Sequence, residues 1–166
     1  MIIESDKIRL ELTKLDNILK IIQIESENSD YIGQYDFCQH KAVIDSDNEL
    51  HLSIFDKSDS LLIGHIILAG LKNNNDSIEF KRIVVSKKGF GFGRDAIGLI
   101  KKYCFENLKA HRVWLDVYSD NNRAIRLYKS QGFRTEGLLR DCIKQDGKYR
   151  SLKIMSILQN DIKQTF

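Results

Sequence analysis

The stretch SKKGFGFGRDAI, Ser86–Ile97, decides how this chain is read. Two lysines precede three glycines that alternate with two phenylalanines, and an arginine follows. Upstream, Ser77 to Val85 (SIEFKRIVV) reads as a strand. Downstream of Gly93, residues Ala96, Ile97, Ile100, Tyr103, Cys104 and Leu108 fall at three-and-four spacing. That spacing predicts an amphipathic helix of about four turns. Gly98 inside it costs roughly 1 kcal/mol relative to Ala, so close packing is expected there. The stretch is therefore a glycine-softened, cationic junction between a strand and a helix.

Three ligands suit such a junction. Lys88-Gly89-Phe90-Gly91-Phe92 fits the first five positions of an RNA-binding strand signature, in which alternate aromatics stack bases. Gly93 and Asp95 then depart from it, and three glycines in five residues weaken a strand. Gly91, Gly93 and Ala96 fit the dinucleotide pattern G-x-G-x-x-A, with Asp116 as the ribose ligand. Such a unit usually opens its domain, whereas here a run of apparent antiparallel strands precedes it. The third ligand is a pyrophosphate. Consecutive N–H groups at a helix N-terminus favour anions, glycines let the backbone come close, and Lys87, Lys88 and Arg94 add charge. The strand edge before the loop can pair with the peptide-like arm of coenzyme A.

Outward from the junction, Lys7 to Thr13 alternates as a strand and Leu15 to Ile24 has helical spacing. Glu25 to Asp36 reads as an acidic loop or a short helix, and Lys41 to Asn48 as a short helix. Glu49–Phe55, Leu61–Leu71 and Ser77–Val85 are strand candidates joined by DKSDS and KNNND, which predicts an antiparallel meander. Arg112–Tyr118 is a further strand. Ser119 or Asp120 is placed to cap a helix that runs through Ala124, Leu127 and Tyr128 to a stop at Gly132. Phe133 to Leu158 reads as two strands around Asp146-Gly147. The result is an α/β (α+β) domain with a mixed, mostly antiparallel twisted sheet flanked by helices.

Composition bounds the function. The 166 residues suit one domain, 1–166, with an apolar fraction of 42% that supports a core without staples. A net charge of +3 is too weak to indicate nucleic acid. No run of 18 apolar residues exists, so no membrane partner is expected. Cys38, Cys104 and Cys142 form no CxxC, which favours free thiols and a cytoplasmic location. His40, His51, His65 and His111 share no metal spacing, so no metal is expected; His51 and His65 read as structural strand residues. The acidic group Glu25, Glu27, Asp30 and Asp36 is a candidate receiver for a cationic amine, with Tyr31, Tyr35 and Phe37 as candidate pocket walls or core.

Lys88-Gly89-Phe90-Gly91-Phe92-Gly93 resembles motif A of the GNAT N-acetyltransferases, Gln/Arg-x-x-Gly-x-Gly/Ala, with Lys88 in place of the usual Gln or Arg. Asn121-Asn122-Arg123-Ala124-Ile125-Arg126-Leu127-Tyr128, then Gly132-Phe133, Glu136-Gly137 and Arg140, resemble the second half of that family's core. The likeness spans about residues 77 to 140, and the tail resembles the RimJ/RimL-type or polyamine-acetylating branches. It implies a GNAT fold and direct acetyl transfer from acetyl-CoA to a primary amine of a small molecule or peptide. A non-catalytic acyl-CoA or nucleotide sensor is the alternative.

By that resemblance Tyr128 serves the departing thiolate. A free Tyr has a pKa of about 10 and a thiol about 8.5, so full proton transfer is uphill by roughly 2 kcal/mol, and Tyr128 is expected to donate a hydrogen bond. Glu79 is the candidate base. A backbone N–H near Ile83, Val84 and Val85, where family members have a bulge, is the expected oxyanion donor and pairs with the pantetheine arm. Lys88, Gly89, Phe90, Gly91, Phe92, Gly93 and Arg94 are expected to hold the pyrophosphate. Asn121 is expected to bind the cofactor or to hold neighbouring strands apart. Homodimerisation is left open.

Overall fold

The computed structural model describes residues 2–163. Its strands are β1 (Ile2–Glu4), β2 (Ile8–Leu12), β3 (Glu49–Asp56), β4 (Leu62–Ala69), β5 (Ser77–Val85), β6 (Arg112–Tyr118), β7 (Arg134–Gln145) and β8 (Lys148–Leu158). Its helices are α1 (Ile18–Ser26), α2 (Phe37–Asp45), α3 (Phe92–Glu106), α4 (Asn122–Ser130) and α5 (Gln159–Lys163). The strands form one sheet in the order β1-β2-β3-β4-β5-β6-β8-β7. Every pairing is antiparallel except β5 with β6, which α3 connects. This is a meander that switches to a single βαβ step, not a doubly wound sheet, so the dinucleotide reading of Gly91, Gly93 and Ala96 lacks its scaffold.

Side-chain alternation on the central strands serves two layers. On one face Leu52, Ile54, Ile66, Leu68 and Phe80 pack with Ala96, Ile97 and Ile100 of α3 and with Ile125 and Tyr128 of α4. On the other, α1 packs on β4 and β5 and α2 on β3. That layer buries Ile18, Ile21 and Ile24 of α1 and Val43 of α2, along with His51, Ser53, His65 and Ile67.

Several boundaries differ from the sequence reading for local reasons. The α2 helix starts at Phe37 rather than Lys41, because Asp36 and Gln39 form a reciprocal capping box. The α4 cap is Asn121, not Ser119 or Asp120: its side chain accepts from the Ala124 N–H at 3.2 Å. Gly132, at φ +92°, ends α4 as expected. Asp146 and Gly147 both have positive φ, the turn the β7–β8 hairpin needs. Gly98 is not forced by packing, since a Cβ there would meet only Gln131 Oε1 at 3.9 Å. The strand β1 and helix α5 carry too little periodicity to be read from sequence.

Candidate active site

The site begins where two strands part. β5 and β6 pair in parallel only at Ser77–Arg112, Ile78–Val113 and Glu79–Trp114. β5 then continues to Val85 along β4, while β6 continues to Tyr118 along β8. Beyond Glu79 and Trp114 the two facing strand edges have no partner in each other, so a wedge opens with backbone donors and acceptors along its sides. The break in β5 register lies at Lys81, which is skipped between the pairs Ile67–Arg82 and Leu68–Phe80. The expected bulge at Ile83–Val85 is therefore corrected: those residues pair regularly with Gly64, His65 and Ile66. The wedge edge still runs through Ile83, Val84 and Val85. Gly64 lets the strands approach there, since a Cβ on it would sit 2.1 Å from the Val84 carbonyl oxygen.

β5 ends in the loop Ser86–Gly91, which leads into α3. Gly89 has φ +90° and Gly91, the N-cap of α3, has φ +84°, a region glycine enters at no steric cost. The Asp95 N–H closes the first helical bond on the Gly91 carbonyl. That leaves the N–H groups of Phe92, Gly93 and Arg94 at the positive end of the helix dipole. The loop is clamped from β1–β2: Ser5 Oγ donates to Asp95 Oδ2 at 3.0 Å, and Lys7 Nζ donates to the Phe90 carbonyl at 3.4 Å. Neither clamp was legible in the sequence.

The side chains sort differently from the expectation. Lys87 is committed to Asp56 at 2.7 Å and Asp59 at 2.8 Å, so its charge is neutralised locally. Lys88 and Arg94 are exposed and carry the loop's cationic field. Phe92 is buried in the core under the exposed, stacked ring of Phe90. A strand presenting both rings to bases, as the RNA signature requires, does not form.

Three groups border the wedge. Tyr128 is 7% exposed, its ring edge-on to Phe80 and Phe133 at centroid distances of 6.5 and 5.8 Å. Its hydroxyl makes no hydrogen bond among the described residues. Burial, and then the charge of Asp116, push its pKa up, which keeps the phenol protonated. Glu79 stands at the last paired position before the strands part, half-buried, and burial followed by the charge of Asp116 raises its pKa. Asp116, on β6 and open to solvent on one side, is also raised by the protein packed around the rest of it. Neither carboxylate has an ion pair or hydrogen bond among the described residues. Two uncompensated carboxylates beside a protonated phenol form an arrangement able to bind a cation and move a proton. Asp116 was missed as a member of this group because only its spacing from the glycines was considered.

Other candidates have different places. Asn121 spends its side-chain oxygen on capping α4, leaving only its amide N–H groups for a ligand. Glu25 is fully buried and cannot receive an external amine. Its Oε1 accepts from Arg82 at 2.8 Å and its Oε2 from the Tyr35 N–H at 2.9 Å. Burial would raise its pKa, but the facing imidazoles of His40 and His65 and the Tyr35 N–H outweigh that and hold the carboxyl well below the usual range. Asp36 is spent as the α2 cap. Tyr35 lies under the Arg82 guanidinium, 3.8 Å from its ring centroid. Tyr31 and Phe37 are exposed rather than core. Burial pushes the Cys104 thiol up to about 12, which removes it as a nucleophile.

The chain matches known proteins over most of its length. The acetyltransferase (GNAT) family pattern matches residues 16–133. A Bacillus subtilis protein named probable N-acetyltransferase YjcK is 28% identical over 93% of this chain and 94% of its own. A spermidine N(1)-acetyltransferase from Vibrio cholerae is 32% identical over 69% of this chain and 66% of its own. A crystal structure of mutant forms of the spermidine/spermine N-acetyltransferase SpeG from Vibrio cholerae superposes with a TM-score of 0.84 at 25% identity, covering 98% of this chain and all of that one. The loop clamped at a helix N-terminus and the wedge between β5 and β6 thus sit in a fold shared across these enzymes. The chain belongs to the acetyltransferase (GNAT) family of N-acetyltransferases.

Proposed function

We propose that residues 1–166 form one acetyltransferase domain that acetylates a primary amine of a cationic small molecule of the polyamine kind, with acetyl-CoA as the donor. The observation that carries the reading is the parting of β5 and β6 beside the unpartnered Tyr128 hydroxyl and the Glu79 carboxylate. In this reading the N–H groups of Phe92, Gly93 and Arg94, with Lys88 and the exposed loop Gly89–Gly91, hold the pyrophosphate. The edge of β5 at Ile83–Val85 pairs with the amide arm, and Asn121 offers its remaining amide N–H groups. Acetyl-CoA supplies the activated acyl group.

The chain's own groups then divide the proton work. Glu79 takes a proton from the ammonium, directly or through water, so that the nitrogen lone pair is free to attack the thioester carbon. A backbone N–H on β5 stabilises the carbonyl oxygen as charge develops. As the carbon–sulfur bond breaks, Tyr128 donates a hydrogen bond to the sulfur, and the proton released by the amine ends on the thiol. The raised pKa of Glu79 brings it nearer to that of a useful base, and the raised pKa of Tyr128 keeps its donor in place.

A cationic acceptor is supported by two uncompensated carboxylates at the wedge, Glu79 and Asp116, and by the names of the relatives. Among the described residues no helix is long and apolar enough to cross a membrane. Three free cysteines accord with a cytoplasmic location. Self-association is part of the proposal: a spermidine N-acetyltransferase of Vibrio cholerae is described as dodecameric, and β7 here is an edge strand exposed on both faces. The test is mass spectrometry of spermidine, glucosamine and a free peptide N-terminus after incubation with acetyl-CoA. Acetylated spermidine supports the reading, and acetylation of the other amines alone overturns the polyamine assignment.

A further inference from the structure

The second core layer holds a group of side chains the acetyl-transfer site does not use. His40 on α2, His51 on β3 and His65 on β4 are all buried, and one nitrogen from each lies within 4.8 Å of the others. His40 Nδ1 and His51 Nε2 are 2.9 Å apart. Glu25 of α1 lies beside the group, with Oε2 3.4 Å from His40 Nε2 and Oε1 3.1 Å from His65 Nε2. His51 Nδ1 is 2.9 Å from Thr13 Oγ1, which in turn is 2.8 Å from Ser53 Oγ.

This packing is odd for a core. A chain of hydrogen bonds through Thr13, His51 and His40 satisfies both nitrogens of His51 and one of His40. His40 Nε2 and His65 Nε2 face the Glu25 carboxylate, and His65 Nδ1 is buried with no partner among the described residues. An unpaired buried polar atom costs about 1–3 kcal/mol, which calls for a reason. The spacing supplies one. Donor atoms about 2.0–2.1 Å from a tetrahedral Zn²⁺ lie about 3.3 Å from one another, and the centroids of imidazoles bound to it lie about 5.2 Å apart. Here His40 Nδ1 and His51 Nε2 are 2.9 Å apart, and one nitrogen from each of the three rings lies within 4.8 Å of the others. The three ring centroids are 5.2, 5.5 and 5.3 Å apart.

We infer that His40, His51 and His65 form a binding site for a divalent transition-metal ion of the Zn²⁺ or Co²⁺ type, with the Glu25 carboxylate beside it. Three imidazoles suit a borderline ion. His51 binds through Nε2, because Thr13 holds its Nδ1 as an outer-shell partner. Glu25 supplies negative charge, and Arg82 fixes its Oε1. The ion ties α2 to β3 and β4. Because His65 is the register partner of Val84, the tether acts on the strand beside the one that borders the wedge. The three ligands come from three elements, so no spacing in the sequence announces them.

The test is Co²⁺ and Zn²⁺ titration of the chelator-treated full chain, read by visible absorption and by melting temperature. The expected result is one Co²⁺ per chain with a four-coordinate spectrum and a raised melting temperature, both competed away by Zn²⁺. His51→Asn and His65→Asn, confirmed as folded by circular dichroism, lose the spectrum, whereas His111→Asn on the surface keeps it. Thr13→Val leaves the ligands in place and weakens binding about 10- to 100-fold, which decides the matter if the histidine variants do not fold. A wild-type chain that takes up no Co²⁺, or binding unchanged in Thr13→Val and lost in His111→Asn, overturns the inference. Acetyl transfer by the metal-free chain leaves the inference standing, because the readouts do not depend on turnover.

Discussion

Replacing Tyr128 with phenylalanine separates its chemistry from its packing. The ring is held by Phe80 and Phe133 and is 7% exposed, so the phenyl group keeps those contacts. The hydroxyl makes no hydrogen bond among the described residues, so its loss orphans no partner. Removing a hydroxyl that has no partner while the ring packing stays costs about 1 kcal/mol or less, which for a chain of this size is a melting shift of about 4 °C or less. In the proposed reaction the hydroxyl faces developing thiolate charge. A hydrogen bond to a charged group contributes about 1.5–3 kcal/mol, and each 1.36 kcal/mol is tenfold in rate. Tyr128→Phe therefore loses about 10- to 150-fold in kcat, with the KM for acetyl-CoA nearly unchanged. The assay is thiol release with spermidine as acceptor, alongside thermal melting. Full activity in Tyr128→Phe refutes the donor role. Equal losses of stability and cofactor binding refute the claim that the residue acts by its hydroxyl.

Glu79→Gln lowers kcat and raises the melting temperature at neutral pH. The folded pKa of Glu79 is raised, so its charged form costs the fold stability above that pKa and nothing below the ordinary glutamate value of about 4.3. Melting curves of the two proteins should thus separate at pH 7 and merge as the pH falls through that range; a gap that persists in acid contradicts the assignment. Gly64→Ala places a Cβ 2.1 Å from the Val84 carbonyl and forces β4 from β5. Overpacking of about 1–3 kcal/mol lowers the melting temperature by about 3–10 °C and raises the KM for acetyl-CoA. Lys87→Ala leaves that KM nearly unchanged, because Asp56 and Asp59 already neutralise Lys87, whereas Lys88→Ala and Arg94→Ala raise it severalfold. A larger effect at Lys87 than at Lys88 in steady-state kinetics contradicts the loop assignment.

What could be read in the sequence was what is local. β5 and β6 carry their alternation within nine and seven residues, and their predicted bounds match the structure. Gly89 and Gly91 announced backbone angles only glycine takes easily, and the helix after them has a clear apolar face. What could not be read was what folding brings together. The committed charge of Lys87 depends on Asp56 and Asp59 in a distant turn. Glu25 sits in an acidic stretch that looks solvated, yet its ring partners come from α2 and β4 and its cation from β5. Phe90 and Phe92 look equivalent in sequence, and only the start of α3 sends one to solvent and the other into the core. The α2 start is marked by a reciprocal cap at Asp36 and Gln39 and not by apolar periodicity, so a reading by periodicity places the helix late.

In the proposed function the loop from Ser86 to Arg94 and the parted edge of β5 hold acetyl-CoA for transfer to an amine. Calorimetric titration of acetyl-CoA into the wild-type chain and Gly91→Val tests it most directly, because Gly91 has φ +84° and a branched side chain there distorts the cradle without touching the core. NADH and a short RNA serve as parallel ligands. The account predicts micromolar, one-to-one binding of acetyl-CoA that Gly91→Val abolishes, with neither NADH nor RNA bound. Binding of NADH or RNA in place of acetyl-CoA, or acetyl-CoA binding equal in the two proteins, would contradict it.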